Sequence, residues 1–147
     1  MNLSELVNSF YHRIWNAGDL SAVPDLLSPG FEFRGSLGLE MCGHESFKEY
    51  VRSVRSSLSN YNCEILESVI EGNLAFVKMR FSGLHTGVFR GYSPTGRPVQ
   101  WLGTALFHSE DGVISSLWVL GDLVGLDCLL QQNSVAQSGP HQAIYQK

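Results

Sequence analysis

Positive charge is scarce in this chain. Ten Lys and Arg stand against fourteen Asp and Glu in 147 residues, a net charge of −4. The few cations form no cluster along any predicted face, so neither a nucleic acid nor an anionic membrane is expected as a partner. Cysteine is also rare. Cys42, Cys63 and Cys128 are odd in number and have no CxxC or metal-ligand spacing. They read as three reduced thiols in a cytoplasmic protein, not as a disulfide frame or a metal site. No run of about 20 apolar residues occurs. The N-terminus, MNLSELVNSFYHRIW, carries acidic and polar residues where a signal peptide would need an apolar core. Repeats and low-complexity tracts are absent. Gly83, Gly87, Gly91 and Gly96 do not lie between a strand and a helix start, so they form no phosphate cradle and imply no nucleotide or flavin cofactor. They suit a long crossing connection that must bend.

What is present is a balanced globular composition, 44% apolar and 16% charged. The length fits one domain, able to hide roughly 70% of its unfolded surface without a metal or disulfide. Leu3, Leu6, Val7, Phe10, Tyr11 and Ile14 recur at helical spacing, with Asn2 and Glu5 as a capping pair and Ala17-Gly18 as the stop. A short helix is expected over residues 20–27, with Pro24 in its first turn. Ser28-Pro29-Gly30 reads as a turn, followed by a short strand at residues 31–34. A third helix starts near Gly43-His44 and buries Phe47, Tyr50, Val51, Val54 and Leu58. The period then changes to two. Strands are expected at residues 62–70, 74–84, 98–108 and 113–121, with tight turns at Glu71-Gly72-Asn73 and Glu110-Asp111-Gly112. Residues 123–131 form a last helical turn or two, and residues 132–147 a polar tail. Helices followed by a strand meander predict an α+β domain, with helices on one side of an antiparallel sheet.

Three motifs carry a family resemblance. GLHTGVFRGYSPTGRPV, residues 83–99, contains G-x-H-x-G and PTG-R. GHESFKEYV at residues 43–51 and DGVISSLWVLGDLVGL at residues 111–126 flank it. Together they resemble the SnoaL-like polyketide cyclases over about residues 3–131. That resemblance implies a curved sheet wrapped around N-terminal helices, enclosing a cone-shaped pocket. It also implies frequent dimers and cofactor-free ring closure of polyketides, with relatives that isomerise or hydroxylate.

The faces of the sheet follow from the last hairpin. A three-residue loop at residues 110–112 pairs Ser109 with Val113, setting Phe107, Ala105, Gly103 and Trp101 opposite Ser115, Leu117, Val119 and Gly121. Odd positions then share one face. Even positions, among them Leu102, Leu106, Ile114, Trp118 and Leu120, share the other. By the resemblance, the family's acid/base aspartate falls on Val119, its polar neighbours on Leu117, Ala105 and Gly103, and a further pocket asparagine near Phe33. The odd face is therefore the pocket face, and it offers no polar side chain at these positions. A largely dry cavity lined by Phe33, Trp101, Phe107, Leu117 and Val119, with Tyr11 and Trp15 from the first helix, is the expectation. The even face, apolar and uncovered, predicts a homodimer.

Aldol cyclisation needs a proton taken from carbon and an oxyanion stabilised. Val119 and its neighbours do neither. Other residues then carry the chemistry, or the pocket only binds an apolar small molecule. Asp122 is a candidate catalytic group, or else caps the turn at Leu123. His85, at the sheet rim, is a candidate base, or else a histidine bonded to backbone. Tyr11 either donates a hydrogen bond into the cone or packs with its hydroxyl satisfied locally. Lys78 and Arg80 either clamp a carboxylate or lie on a solvated strand face. A metal site from His85, His108 and Asp122 is rejected, because His108 and Asp122 sit at opposite ends of one hairpin. Three functions stay open: a cofactor-free cyclase or isomerase in specialised metabolism, a non-catalytic binder of an apolar molecule, and a module whose sheet recruits another chain.

Overall fold

The computed structural model describes residues 1–138. Helix α1 (Leu3–Ser9) starts at the expected capping box: Asn2 and Glu5 exchange backbone-to-side-chain hydrogen bonds of 2.9 Å in both directions. The same helical run then widens into a π-helix, Phe10–Asn16. A 3-10 turn (Leu20–Ala22) and α2 (Val23–Leu26) follow, then β1 (Leu27–Arg34), β2 (Glu40–Cys42) and α3 (His44–Ser57). The meander is β3 (Leu58–Glu71), β4 (Leu74–His85), β5 (Pro98–Glu110) and β6 (Val113–Gly121). Helix α4 runs Leu123–Ser138, past the point where the polar tail was expected to begin. The rest of that tail lies outside the described residues.

The six strands form one sheet in the order β2-β1-β6-β5-β4-β3. All neighbours are antiparallel except β1 and β6, which pair in parallel with Phe33 opposite Leu117. Ser28-Pro29-Gly30 belongs to β1 and is not a separate turn. Alternation works as expected along β4 and β5. Ala75, Val77, Met79 and Phe81 meet Phe107, Ala105, Gly103 and Trp101 across the ladder, and all but Gly103 are buried. Helices α1 and α3 and the π-helix pack on this concave face. There Phe10, Phe31, Phe47 and Phe107 interlock at centroid distances of 5.3–6.5 Å. Such aromatic pairs add about 0.5–1.5 kcal/mol each beyond their burial.

The β5–β6 register differs from the expectation. Asp111 (φ 51) and Gly112 (φ 80) are both left-handed, as a two-residue primed turn requires. Glu110 therefore pairs directly with Val113. A bulge then absorbs Ser115: Ser109 lies opposite Ile114, but His108 opposite Ser116. From there Phe107 pairs with Leu117, Ala105 with Val119 and Gly103 with Gly121, two residues away from the expected partners. An even shift leaves Leu117 and Val119 facing inward. Ile114 lies on the other side of the bulge, so its parity is reversed. It is fully buried and not part of the outer face.

Candidate functional site

A narrow cavity sits between the concave face and the helices. Phe33, Leu117 and Val119 form one wall, from the adjacent strands β1 and β6. The opposite wall is Phe10, Tyr11 and Trp15 from the π-helix, Tyr50 and Val54 from α3, and Tyr61, Cys63 and Phe81 from β3 and β4. Ser36 and Leu37, in the loop between β1 and β2, complete the lining. The space is small, about 20 Å³, close to what one water molecule needs.

The π-helix explains how Tyr11 reaches this cavity. Its hydrogen bonds skip five residues, as from the Ala17 amide to the His12 carbonyl at 3.0 Å. The wider turn brings two neighbouring columns, Phe10 with Ile14 and Tyr11 with Trp15, into the interior together; all four are buried. Its end is tied down from two sides. Arg55 of α3 donates to the carbonyls of Trp15 and Asn16. The Asn16 amide exchanges both backbone hydrogen bonds with Cys63, at 2.7 and 3.1 Å, as a neighbouring strand would. That clamp sets Cys63 and Tyr61 against Tyr11.

The polar atoms of the cavity are therefore chiefly three phenols and a thiol. Burial pushes the Cys63 thiol up to about 12, although the Tyr61 hydrogen bond and the Arg55 charge pull the other way. Burial also raises Tyr11 and Tyr61 well above the ordinary phenol value, with the nearby Cys63 adding to the effect. Tyr50 rises to about 12, mainly by burial, with the Leu37 backbone amide at its hydroxyl opposing. All four groups are neutral at pH 7. As neutral groups they are able to donate hydrogen bonds to a ligand and do not act as bases. The Tyr11 hydroxyl, buried, has no hydrogen-bond partner among the described residues, so it is not satisfied locally. At the mouth Tyr50 needs Gly35: a Cβ there would lie 2.6 Å from the tyrosine oxygen.

The lining agrees only in part with the sequence-based one. Tyr11, Trp15, Phe33, Leu117 and Val119 line the cavity. Trp101, Gly103, Ala105 and Phe107 do not. Ala105 and Phe107 are fully buried in the packed core beside it. Trp101 stacks behind Phe81 and Tyr61. Gly103 has Phe81 pressed against its inner side, 2.7 Å from where a Cβ would lie. The cavity is not free of polar groups, because Tyr50, Tyr61, Cys63 and Ser36 were missed. Tyr61, Cys63 and Ile65 alternate, and that spacing was the signal that Tyr61 and Cys63 face inward.

His85 and Asp122 do not reach this cavity. His85 ends β4, at the rim of the sheet as expected, and is fully buried. Its ring lies 3.2 Å from the Tyr92 carbonyl and 3.3 Å from the Thr95 hydroxyl, and it fastens the 86–97 connection. The Asp122 carboxylate accepts from the Gly125 amide at 3.0 Å, a cap on α4. Lys78 and Arg80 pair with Glu67 and Glu64 on the exposed strand face. Among the described residues no three His, Cys, Asp or Glu side chains gather as metal ligands do, all three cysteines are free thiols, and no helix is long and apolar enough to cross a membrane.

The architecture is thus an α+β cone with a small, mostly aromatic cavity between sheet and helices. The chain matches the model of the SnoaL-like polyketide cyclase family over residues 5–132, and it belongs to that family. No curated protein gives a significant match. Among solved structures, TsrD from Streptomyces laurentii superposes with a TM-score of 0.77 at 26% identity, covering 87% of this chain and 93% of that one. IdmH from Streptomyces antibioticus gives 0.76 at 21%, covering 87% and 97%. A SnoaL-like polyketide cyclase from Agrobacterium tumefaciens gives 0.75 at 15%, covering 88% and 98%. At such identities the last two speak for the fold alone.

Proposed function

We propose that this protein is a cofactor-independent cyclase or isomerase acting on a hydrophobic small molecule in specialised metabolism. The observation that carries this reading is the cavity itself: it lies where the sheet and the helices of the cone meet, with Val119 and Leu117 on its wall. Family membership supports small-molecule chemistry of this kind. The side chains restrict the mechanism. No carboxylate or histidine lines the cavity, so the site supplies no base at neutral pH. Neutral phenols stabilise developing charge on an oxygen, and the aromatic walls hold a flexible precursor in a folded conformation. That combination suits ring closures or double-bond shifts whose proton transfers occur within the substrate.

Small-molecule sites usually measure about 300–1,000 Å³, far more than the space present. Binding of a molecule of that size therefore requires the cavity to widen. The three unpaired cysteines fit a cytoplasmic setting. We also infer that two copies associate through the outer sheet face, where Phe76, Leu102, Trp118 and Leu120 are exposed side by side.

The test is incubation of the purified protein with the linear precursors made by enzymes encoded beside it, followed by chromatography and mass spectrometry. The expected result is a product of unchanged mass, or one water lighter, formed without added cofactor. Retention of the precursor with no product at any time would leave the binding-protein reading instead.

A further inference from the structure

The four polar groups of the cavity that titrate are not equivalent. Of the three phenols, only Tyr11 has a hydroxyl that is wholly buried without a hydrogen-bond partner among the described residues, and it lines the free space. A buried donor without an acceptor loses its hydration and gains nothing in return, and such a group is expected to have a reason. The cost is compounded by the π-helical turn that carries Tyr11 inward. Its ring is fixed edge-on between Phe10 at 5.1 Å and Phe107 at 5.7 Å, so the hydroxyl cannot swing to another acceptor without disturbing the core.

We propose that the Tyr11 hydroxyl reads a carbonyl oxygen of the ligand, donating to it the one hydrogen bond that orients an otherwise apolar molecule in the cavity. The inference rests on the reading of this cavity as a small-molecule site and adds to it the residue that orients the ligand, by a carbonyl oxygen that a plain hydrocarbon lacks and that a carboxylate offers only with its charge. A carboxylate is disfavoured because no cation lines the cavity and burial of an unpaired charge is costly. The phenol keeps its proton throughout. If electron density moves onto the carbonyl oxygen during ring closure, the same hydrogen bond strengthens without any group having to move.

The test compares acetophenone with ethylbenzene, which differ by the carbonyl oxygen, on the wild-type protein and on Tyr11→Phe, with binding followed by tryptophan fluorescence and calorimetry. The expected result is about a tenfold rise in Kd for acetophenone in the variant, with ethylbenzene within about twofold. The free variant should melt at the wild-type temperature or above it, because no internal hydrogen bond is lost. Equal effects on the two ligands, or none on either, would overturn the role of Tyr11 and leave the cavity standing as a binding site. A melting point several degrees lower would also overturn it, by showing that the hydroxyl is bonded within the protein. If neither compound binds the wild type, the small-molecule reading fails, and this inference with it.

Discussion

The two walls of the cavity are built from different chemistry. The strand wall of β1 and β6 presents Phe33, Leu117 and Val119, carbon only. The wall of the π-helix, α3 and β3 presents every phenol and the thiol. Inspection of the β5–β6 hairpin alone finds a site stripped of function. The second wall shows that the polar groups come from elsewhere in the chain, on elements that meet the hairpin only in three dimensions. A cavity in a cone has to be read around its whole circumference, because one strand pair supplies only one side.

The largest effect should come from putting charge on the carbon wall. Val119 is 4% exposed, and no cation lines the cavity to receive a carboxylate. In Val119→Asp, burial should raise the pKa of the introduced carboxyl by about 2–3 units. Its folded-state pKa then lies above the unfolded value of about 3.9. The variant is therefore least impaired below about pH 4 and loses stability as pH rises through the folded pKa. At pH 7 the ionisation penalty is about 3–4 kcal/mol, readable by urea denaturation at acidic and neutral pH. If the introduced carboxyl instead titrates at its unfolded value with no pH-dependent loss, position 119 lies in solvent and the contrast between the walls dissolves.

The polar wall has its own pH signature, of intermediate size. Cys63 rises from 9.0 to about 12 through burial. The thiol is neutral in both states below about pH 9. Above that the unfolded chain ionises first, so stability falls as pH climbs from 9.0 toward about 12. By about pH 10.5 this group alone removes about 2 kcal/mol. Tyr11 and Tyr61, raised in the same direction, steepen the decline above about pH 10. Guanidinium melts from about pH 8 to about pH 11 measure the curve. Cys63→Ala should flatten its first unit and leave the tyrosine part. A flat profile over that whole range would mean that the second wall is open to water.

Legibility in the sequence followed element length and period. The stripe of α3 and the alternation of β4 and β5 were readable because each spans several turns or pairs, and the family motifs gave the cone. Short or irregular pieces were not. Strand β2 is three residues with a mostly exposed pattern, so Glu40-Met41-Cys42 carries no period. Strand β3 begins at Leu58, four residues before the expected start, and a register shift between Ser59 and Asn62 surrounds the left-handed Asn60. That irregular beginning hid Tyr61, which lies outside the expected strand. The β5–β6 turn was one residue shorter than read, and the bulge at Ser115 made the error even. Val119 therefore kept its face and Ile114 did not. The π-helix has the same apolar stripe an α-helix would show, so the inward placing of Tyr11 and Trp15 was legible while the wider hydrogen-bond pattern that carries them was not.

The smallest effect on stability should come from the residue beside Val119. Trp118 points to the opposite side of β6 and is 44% exposed, with the Arg34 guanidinium 5.6 Å above its ring. Trp118→Glu exchanges a cation–π contact for an ion pair with that same arginine. Both are surface interactions of about 0.5–1 kcal/mol or less, so the monomer's stability should change by under about 1 kcal/mol. Assembly should respond differently. If two copies meet through Leu102, Leu120 and Trp118, a glutamate from each copy is brought into an apolar interface with its symmetry mate close by. Light scattering at micromolar concentration is then expected to show a dimer for the wild type and a monomer for the variant. A wild type that is monomeric at this concentration, or a variant that remains dimeric with unchanged stability, would remove the outer face as an interface. Val119→Asp should damage folding and ligand binding at neutral pH, whereas Trp118→Glu should damage only association. Two adjacent residues on one strand thereby separate what the inside of the cone does from what its outside does.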